Sequence, residues 1–172
     1  MKQTSWVVLA VMLAGGGAVS AAESVLLSGA SHLSYSYLNS QPGAAADLVV
    51  STSYRPWSFL AFGLEGALLT PLRTGRRTEG EVNVALRANP TLWFIYGDEI
   101  KWSYLKLGGG LYGQWREGAR DTIGVVVGAL GFTVAPEDLL VYFGLEMQGQ
   151  IEVSGDRRNR FLGLGVLMGY RF

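Results

Sequence analysis

The chain has 172 residues, 14 basic and 14 acidic side chains, a single histidine, His32, and no cysteine. The lack of cysteine excludes disulfide scaffolds, thiolate metal sites and cysteine nucleophiles, one histidine leaves little for a zinc or haem centre, and a balanced charge offers nucleic acid no basic field. No cofactor and no nucleic-acid partner is expected, and 49% hydrophobic residues with 24 scattered glycines, about twice the usual share, describe one folded domain rather than a disordered or linker segment.

Residues 1–22 read as a secretory leader. Lys2 supplies the positive start, Trp6–Ala14 a short apolar stretch, and Ser20, Ala21 and Ala22 the small residues before cleavage. Gly15–Gly17 interrupt the run, which is too short for a membrane-spanning helix. Residues 23–172 are then the exported domain.

Downstream the 3.6-residue period is nearly absent and period two dominates, cut by turn signals into eight segments. The first, Val25–Leu38, places His32, Ser34 and Ser36 on one face. Asp47–Tyr54 is the second, and Phe59–Thr70, with Glu65 near its middle, the third. In the fourth, Glu81–Tyr96, Val82, Val84, Leu86, Ala88, Leu92 and Phe94 oppose Glu81, Asn83, Arg87, Asn89 and Thr91, and Pro90 predicts a bulge because it lacks a ladder donor. The fifth, Lys101–Trp115, sets Leu105, Leu107 and Leu111 against Tyr104, Lys106, Tyr112 and Gln114. Its Gly108–Gly113 stretch matches Gly-x-Gly-x-x-Gly formally, but no helix follows to receive a pyrophosphate.

The sixth segment, Thr122–Ala135, is apolar on both faces, so alternation does not assign the facing of Val125, Val126 and Val127. In the seventh, Leu139–Val153, Val141, Phe143, Leu145, Met147, Ile151 and Val153 oppose Tyr142, Glu146, Gln148, Gln150 and Glu152. The eighth, Arg160–Phe172, alternates Leu162, Leu164, Val166, Met168, Tyr170 and Phe172 with Gly163, Gly165 and Gly169. Longer connections (39–46, 71–80, 116–121, 154–159) alternate with tight turns at Arg55-Pro56, Gly97–Glu99 and Pro136–Asp138.

Most segments reach the 9 to 11 or so residues that a tilted strand needs to cross a bilayer. The pattern predicts an all-β fold, an eight-stranded antiparallel up-and-down transmembrane β-barrel with its long loops outside. A soluble barrel of the lipocalin kind also alternates, but it keeps apolar residues inside and charges outside. Here one face is almost free of charge, and Glu65, Arg87, Lys106 and Glu146 sit singly on the minority polar face, where a lumen would be. Only side chains fit within eight strands, so these four are expected to meet as a charge-neutral plug. Aromatic residues gather at one end of the strands. Trp57, Phe59, Phe62, Trp102, Tyr104, Tyr142 and Phe143 lie at odd starts, and Tyr54, Trp93, Phe94, Tyr96, Tyr170 and Phe172 at even ends, which suggests an interfacial girdle.

The last segment, ending on Tyr170 and Phe172, resembles the C-terminal signal by which the outer-membrane insertion machinery recognises bacterial barrels. With the eight strands, the chain resembles the small outer-membrane barrel superfamily typified by the transmembrane domain of outer membrane protein A. The resemblance is architectural and covers residues 23–172. It implies a bacterial outer-membrane location, assembly as a monomer through the last strand, and a lumen charge cluster acting as plug or gate. No wall-binding second domain is expected after Phe172.

His32-x-Ser34 resembles the His-x-Ser pair of small outer-membrane lipid A deacylases, with Asp47 as the candidate orienting acid. In that family the pair lies late in the chain, whereas here it is in the first segment and faces inward. Arg73, Arg76, Arg77, Arg116, Arg120, Arg157, Arg158 and Arg160 cluster in or beside the outer loops. Guanidinium pairs with phosphate in bidentate fashion, so a lipopolysaccharide contact is expected there. The expected role is non-enzymatic, in envelope integrity, lipopolysaccharide interaction or adhesion. A narrow channel for ions or small solutes and a lipid A-modifying hydrolase are the alternatives.

Overall fold

The structure, a computed structural model, describes residues 24–38, 41–72, 82–116, 119–136, 139–153 and 160–172. The expected leader, residues 1–22, lies outside them. Eight antiparallel strands follow in chain order: β1 (Ser24–Leu38), β2 (Gln41–Trp57), β3 (Leu60–Leu72), β4 (Val82–Gly97), β5 (Lys101–Arg116), β6 (Ala119–Val134), β7 (Val141–Glu152) and β8 (Arg160–Arg171). Each pairs with the next, and β8 pairs with β1, from Tyr37–Arg160 to Leu26–Arg171, to close the barrel. The amide of Phe172 donates to the Val25 carbonyl at 2.9 Å beyond the last ladder pair, so the seam is held to the chain end. Closure leaves no unpaired sheet edge, the condition for a sheet to stand in hydrocarbon.

Polarity is reversed relative to a soluble barrel. Leu33, Leu64, Leu164 and Val166 face outward at 64 to 65% exposure, while Glu65, Arg87, Lys106 and Glu146 are at most 5% exposed inside. Among the strand residues whose side-chain exposure is described, the only charged outward ones are Lys101 and Arg160, the first residues of β5 and β8. The faces expected from alternation in β4, β5, β7 and β8 hold wherever side chains are described; the expected facings of Glu81, Val82, Asn83, Val84 and Gln114 lie outside them. In β6, where alternation was silent, Val125, Val127 and Ala129 turn inward and Val126, Leu130 and Phe132 outward.

Four expectations are corrected. Residues 41–46, 71–72, 116 and 119–121 belong to the ladders of β2, β3, β5 and β6 rather than to loops: Gln41 pairs with Leu38, Leu72 with Ala44, and Ala119 with Arg116. Gly43 and Ala44–Ala46 give no contrast between faces, yet a ladder needs only backbone groups. The turn expected at Arg55-Pro56 falls at Ser58-Phe59, because a register shift between Tyr54 and Trp57 carries β2 past the proline. Pro90 makes no bulge: Ala88 faces Leu111 and Thr91 faces Gly108, the same register on either side. Gly108 lets the strands close up there, since a Cβ on it would stand 2.8 Å from the Pro90 carbonyl oxygen. Finally, only part of the aromatic girdle is external. Tyr54, Trp57, Phe59, Phe62, Phe94, Tyr96, Phe143 and Phe172 face outward, joined by Phe132, but Trp93, Trp102, Tyr104 and Tyr142 are at most 3% exposed inside. Consecutive aromatics such as Trp93-Phe94 and Tyr142-Phe143 must split between faces, because the side-chain period is two.

Candidate functional site: the barrel lumen

The described lumen side chains lie in three layers. At the end that carries the short turns, Trp93 and Tyr104 pack with ring centroids 4.7 Å apart, and Trp102 and Tyr142 at 5.2 Å, over Leu26, Ala61, Ala135 and Leu167. Trp93 donates its indole N–H to Thr91 Oγ1 at 2.9 Å, which settles the one polar atom of that ring. At the loop end Tyr112 and Phe161 meet edge to face above Val125, Val127 and Leu69, with Glu152 buried opposite Val125. Between these two ring-bearing layers lies the main charged one.

Its centre is Lys106, whose Nζ donates to Glu65 Oε2 at 2.6 Å and to Glu146 Oε1 and Oε2 at 3.0 and 3.1 Å. The same ammonium lies 5.2 Å from the centroid of the Trp93 ring. The second oxygen of Glu65 accepts Arg87 Nη2 at 2.5 Å, and Arg87 Nη1 donates to Gln150 Oε1 at 2.6 Å. With its amide turned to satisfy both ends, Gln148 accepts from Arg87 at 2.7 Å and donates to Glu146 at 3.2 Å. The four charges expected to meet do so.

Sequence reasoning missed that the cluster continues through His32 and Asp47. His32 Nδ1 is 2.7 Å from Asp47 Oδ1, the His32 amide donates to the same oxygen at 3.2 Å, and Nε2 is 3.2 Å from Glu146 Oε1. The Tyr104 hydroxyl donates to the other Glu146 oxygen. The cause lies in one cross-strand row, in which Tyr104, Gly131, Glu146, Gly165, His32 and Asp47 are successive neighbours around the barrel. Glycine separates the large side chains. A Cβ on Gly131 would overlap the Tyr104 ring, and one on Gly165 the His32 ring. Each ring therefore lies flat over a glycine and reaches the carboxylate two strands away, a gap of about 10 Å that direct neighbours at about 4.8 Å do not face. Only the register, which composition does not carry, exposes this row.

The hydrolase reading meets a specific obstacle. Asp47 stands at Nδ1 as the orienting acid should, but Nε2 faces Glu146 rather than Ser34. Ser34 instead sits opposite Gly163, packed where a Cβ on that glycine would be. A serine nucleophile needs the imidazole nitrogen that here addresses a carboxylate.

Of the eight arginines, Arg160 is exposed at the start of β8. Arg116 and Arg120 lie in the ladder where β5 meets β6, facing Ala119 and Trp115. Arg73, Arg76, Arg77, Arg157 and Arg158 fall outside the described residues. The Tyr170 and Phe172 rings lie tilted to each other with centroids 4.7 Å apart at the end of the chain, with Phe172 68% exposed.

No protein-family model and no curated protein sequence matches the chain. Solved structures do. Neisserial surface protein A is 11% identical, with a TM-score of 0.68 over 87% of this chain and 97% of its own. The N-terminal β-barrel domain of OprF from Pseudomonas aeruginosa is 10% identical, with a TM-score of 0.56 over 87% and 97%. Ail, the attachment invasion locus protein of Yersinia pestis, solved in complex with the heparin analogue sucrose octasulfate, is 12% identical, with a TM-score of 0.52 over 88% and 100%. At such identities the likeness is one of fold, and it agrees with the closed eight-strand register, the apolar exterior and the polar lumen. In fold, this chain is a small eight-stranded β-barrel of the outer-membrane type.

Proposed function

We propose that the protein is an integral barrel of a bacterial outer membrane, with a closed lumen, that acts without catalysis in envelope integrity through contact with the phosphates of lipopolysaccharide. The observation that carries this reading is the lumen itself. An ionic layer lies between two layers of packed rings, so an ion would have to displace rings at both ends as well as buried carboxylates. Eight strands leave space for side chains and little else, and here Tyr104, Tyr112, Tyr142 and His32 occupy it. His32 is better used as a bridge between Asp47 and Glu146 than as a base for Ser34. The arginines beside the outer connections supply the anion contact, and the terminal Tyr170 and Phe172 address the chain to the barrel assembly machinery.

Conductance decides between a closed and an open lumen. Protein refolded into planar bilayers is expected to give no channel events at neutral pH. Reproducible openings in the wild type, altered by Glu65→Gln, would overturn the closed lumen and restore a narrow channel.

A further inference from the structure

Interior Gly131, Gly165 and Gly169 are explained by the rings above them. On the outer face Gly29, Gly66, Gly109, Gly128 and Gly149 have room for a Cβ, and of these only Gly128 and Gly149 face each other. On the outward face Gly128 of β6 sits directly opposite Gly149 of β7. A Cβ on Gly128 would come no closer than 3.7 Å to any atom, a Leu107 methyl, and one on Gly149 no closer than 3.9 Å. The barrel's own packing would thus accept larger side chains at both positions, and strand interiors disfavour glycine. What the pair creates is a groove of about 850 Å³ in the apolar wall, with Val126, Ile151 and Leu162 standing around the glycine floor. Sites for small ligands commonly fall in this size range. Tyr35 borders the groove, and Arg160 lines it from the loop end of β8.

We propose that this groove holds one acyl chain of an anionic lipid whose phosphate rests on Arg160. The commitment to an anionic acyl lipid follows from the two halves of the site. The floor and walls are hydrocarbon in character and face outward, where only lipid can fill them. Among the strand residues whose side-chain exposure is described, Arg160 is the one charged outward position at the loop end. A guanidinium there offers a phosphate a paired hydrogen bond at the level where headgroups lie. The inference rests on the membrane reading above and adds a specific lipid site to it.

The test uses the whole barrel refolded into vesicles of phosphatidylcholine and phosphatidylglycerol, then extracted in mild detergent for native mass spectrometry. The wild type is expected to retain one phosphatidylglycerol in about tenfold preference to phosphatidylcholine. Gly128→Val with Gly149→Val should abolish retention while leaving the urea midpoint of unfolding unchanged or higher, since both Cβ atoms have room. Arg160→Gln should keep a lipid but lose the preference. Retention by the valine pair equal to wild type, no preference in the wild type, or displacement of the lipid by millimolar inorganic phosphate would each overturn the proposal. The first two leave the membrane reading standing. A wild type that does not enter vesicles at all would overturn that reading, and this site with it.

Discussion

Lys106 shows how much a single side chain carries in so narrow a lumen. It touches the Glu65 and Glu146 carboxylates and a tryptophan face, at 2% exposure. Lys106→Met keeps most of the stem's volume but leaves Glu65 and Glu146, both buried, facing each other without their shared cation. Removing one partner of a buried ion pair costs about 3 to 5 kcal/mol, because the abandoned charge has no water to turn to. Urea unfolding in lipid vesicles should show that loss for Lys106→Met, and adding Glu146→Gln should recover part of it, since contacting residues couple. A loss under about 1 kcal/mol would mean that the layer is hydrated and the lumen open. At this scale the four charges were legible in the sequence, because a rare charge on the minority face of a period-two strand has one place to go. The pairing of His32 with Asp47 was legible too, but its link to Glu146 was not, since that depends on which residues of β8 and β7 stand beside His32, and nothing local to those segments records it.

Among the elements, the β4–β5 hairpin is the connection whose chemistry is best defined. Gly97 has a φ of +131°, where a Cβ would run into the backbone of Lys101 and Trp102. The next residue, Asp98, accepts the amides of Lys101 at 2.6 Å and Ile100 at 2.8 Å on one carboxylate oxygen. Those amide bonds, Lys101's first, hold the Asp98 carboxyl below the usual carboxylate range. A lowered folded value means that the bonds stabilise the turn at pH above the unfolded value of about 3.9, and that this stabilisation is lost as pH falls through the folded one. Hydrogen exchange at Ile100 and Lys101, corrected for intrinsic rates, should therefore quicken in acid in the wild type. Asp98→Asn, which keeps an acceptor, should lose the pH dependence, and Asp98→Ala should exchange fast throughout. Protection that is flat from neutral pH to about pH 3 in the wild type would sink this account. The glycine and acidic residue of this turn are legible in sequence. Segments without contrast are not: β6 is apolar on both faces, and the start of β2 is built of Gly43 and Ala44–Ala46, so alternation could neither orient the first nor extend the second.

For the whole molecule the decisive feature is which face of the closed sheet is apolar. The lipocalin-type alternative and the membrane barrel share strand number, closure and alternation, and differ only in this. Position along the strand then becomes an energetic coordinate, because an arginine on the lipid face costs about 2 to 4 kcal/mol at the bilayer midplane and about 0 to 1 near the interface. Leu164 lies mid-strand in β8 at 64% exposure, and Tyr96 lies at the turn end of β4 at 54%. Neither touches the lumen, so neither substitution disturbs the ionic layer. Leu164→Arg should lower stability in vesicles by the larger figure and Tyr96→Arg by the smaller, measured side by side by urea unfolding. On a water-facing wall both would fall within about 0.5 kcal/mol of wild type, as surface changes generally do. The depth dependence is thus the signature to seek, since two small and equal effects would place the outer face in water and void the membrane reading, together with the lipid groove on that same wall.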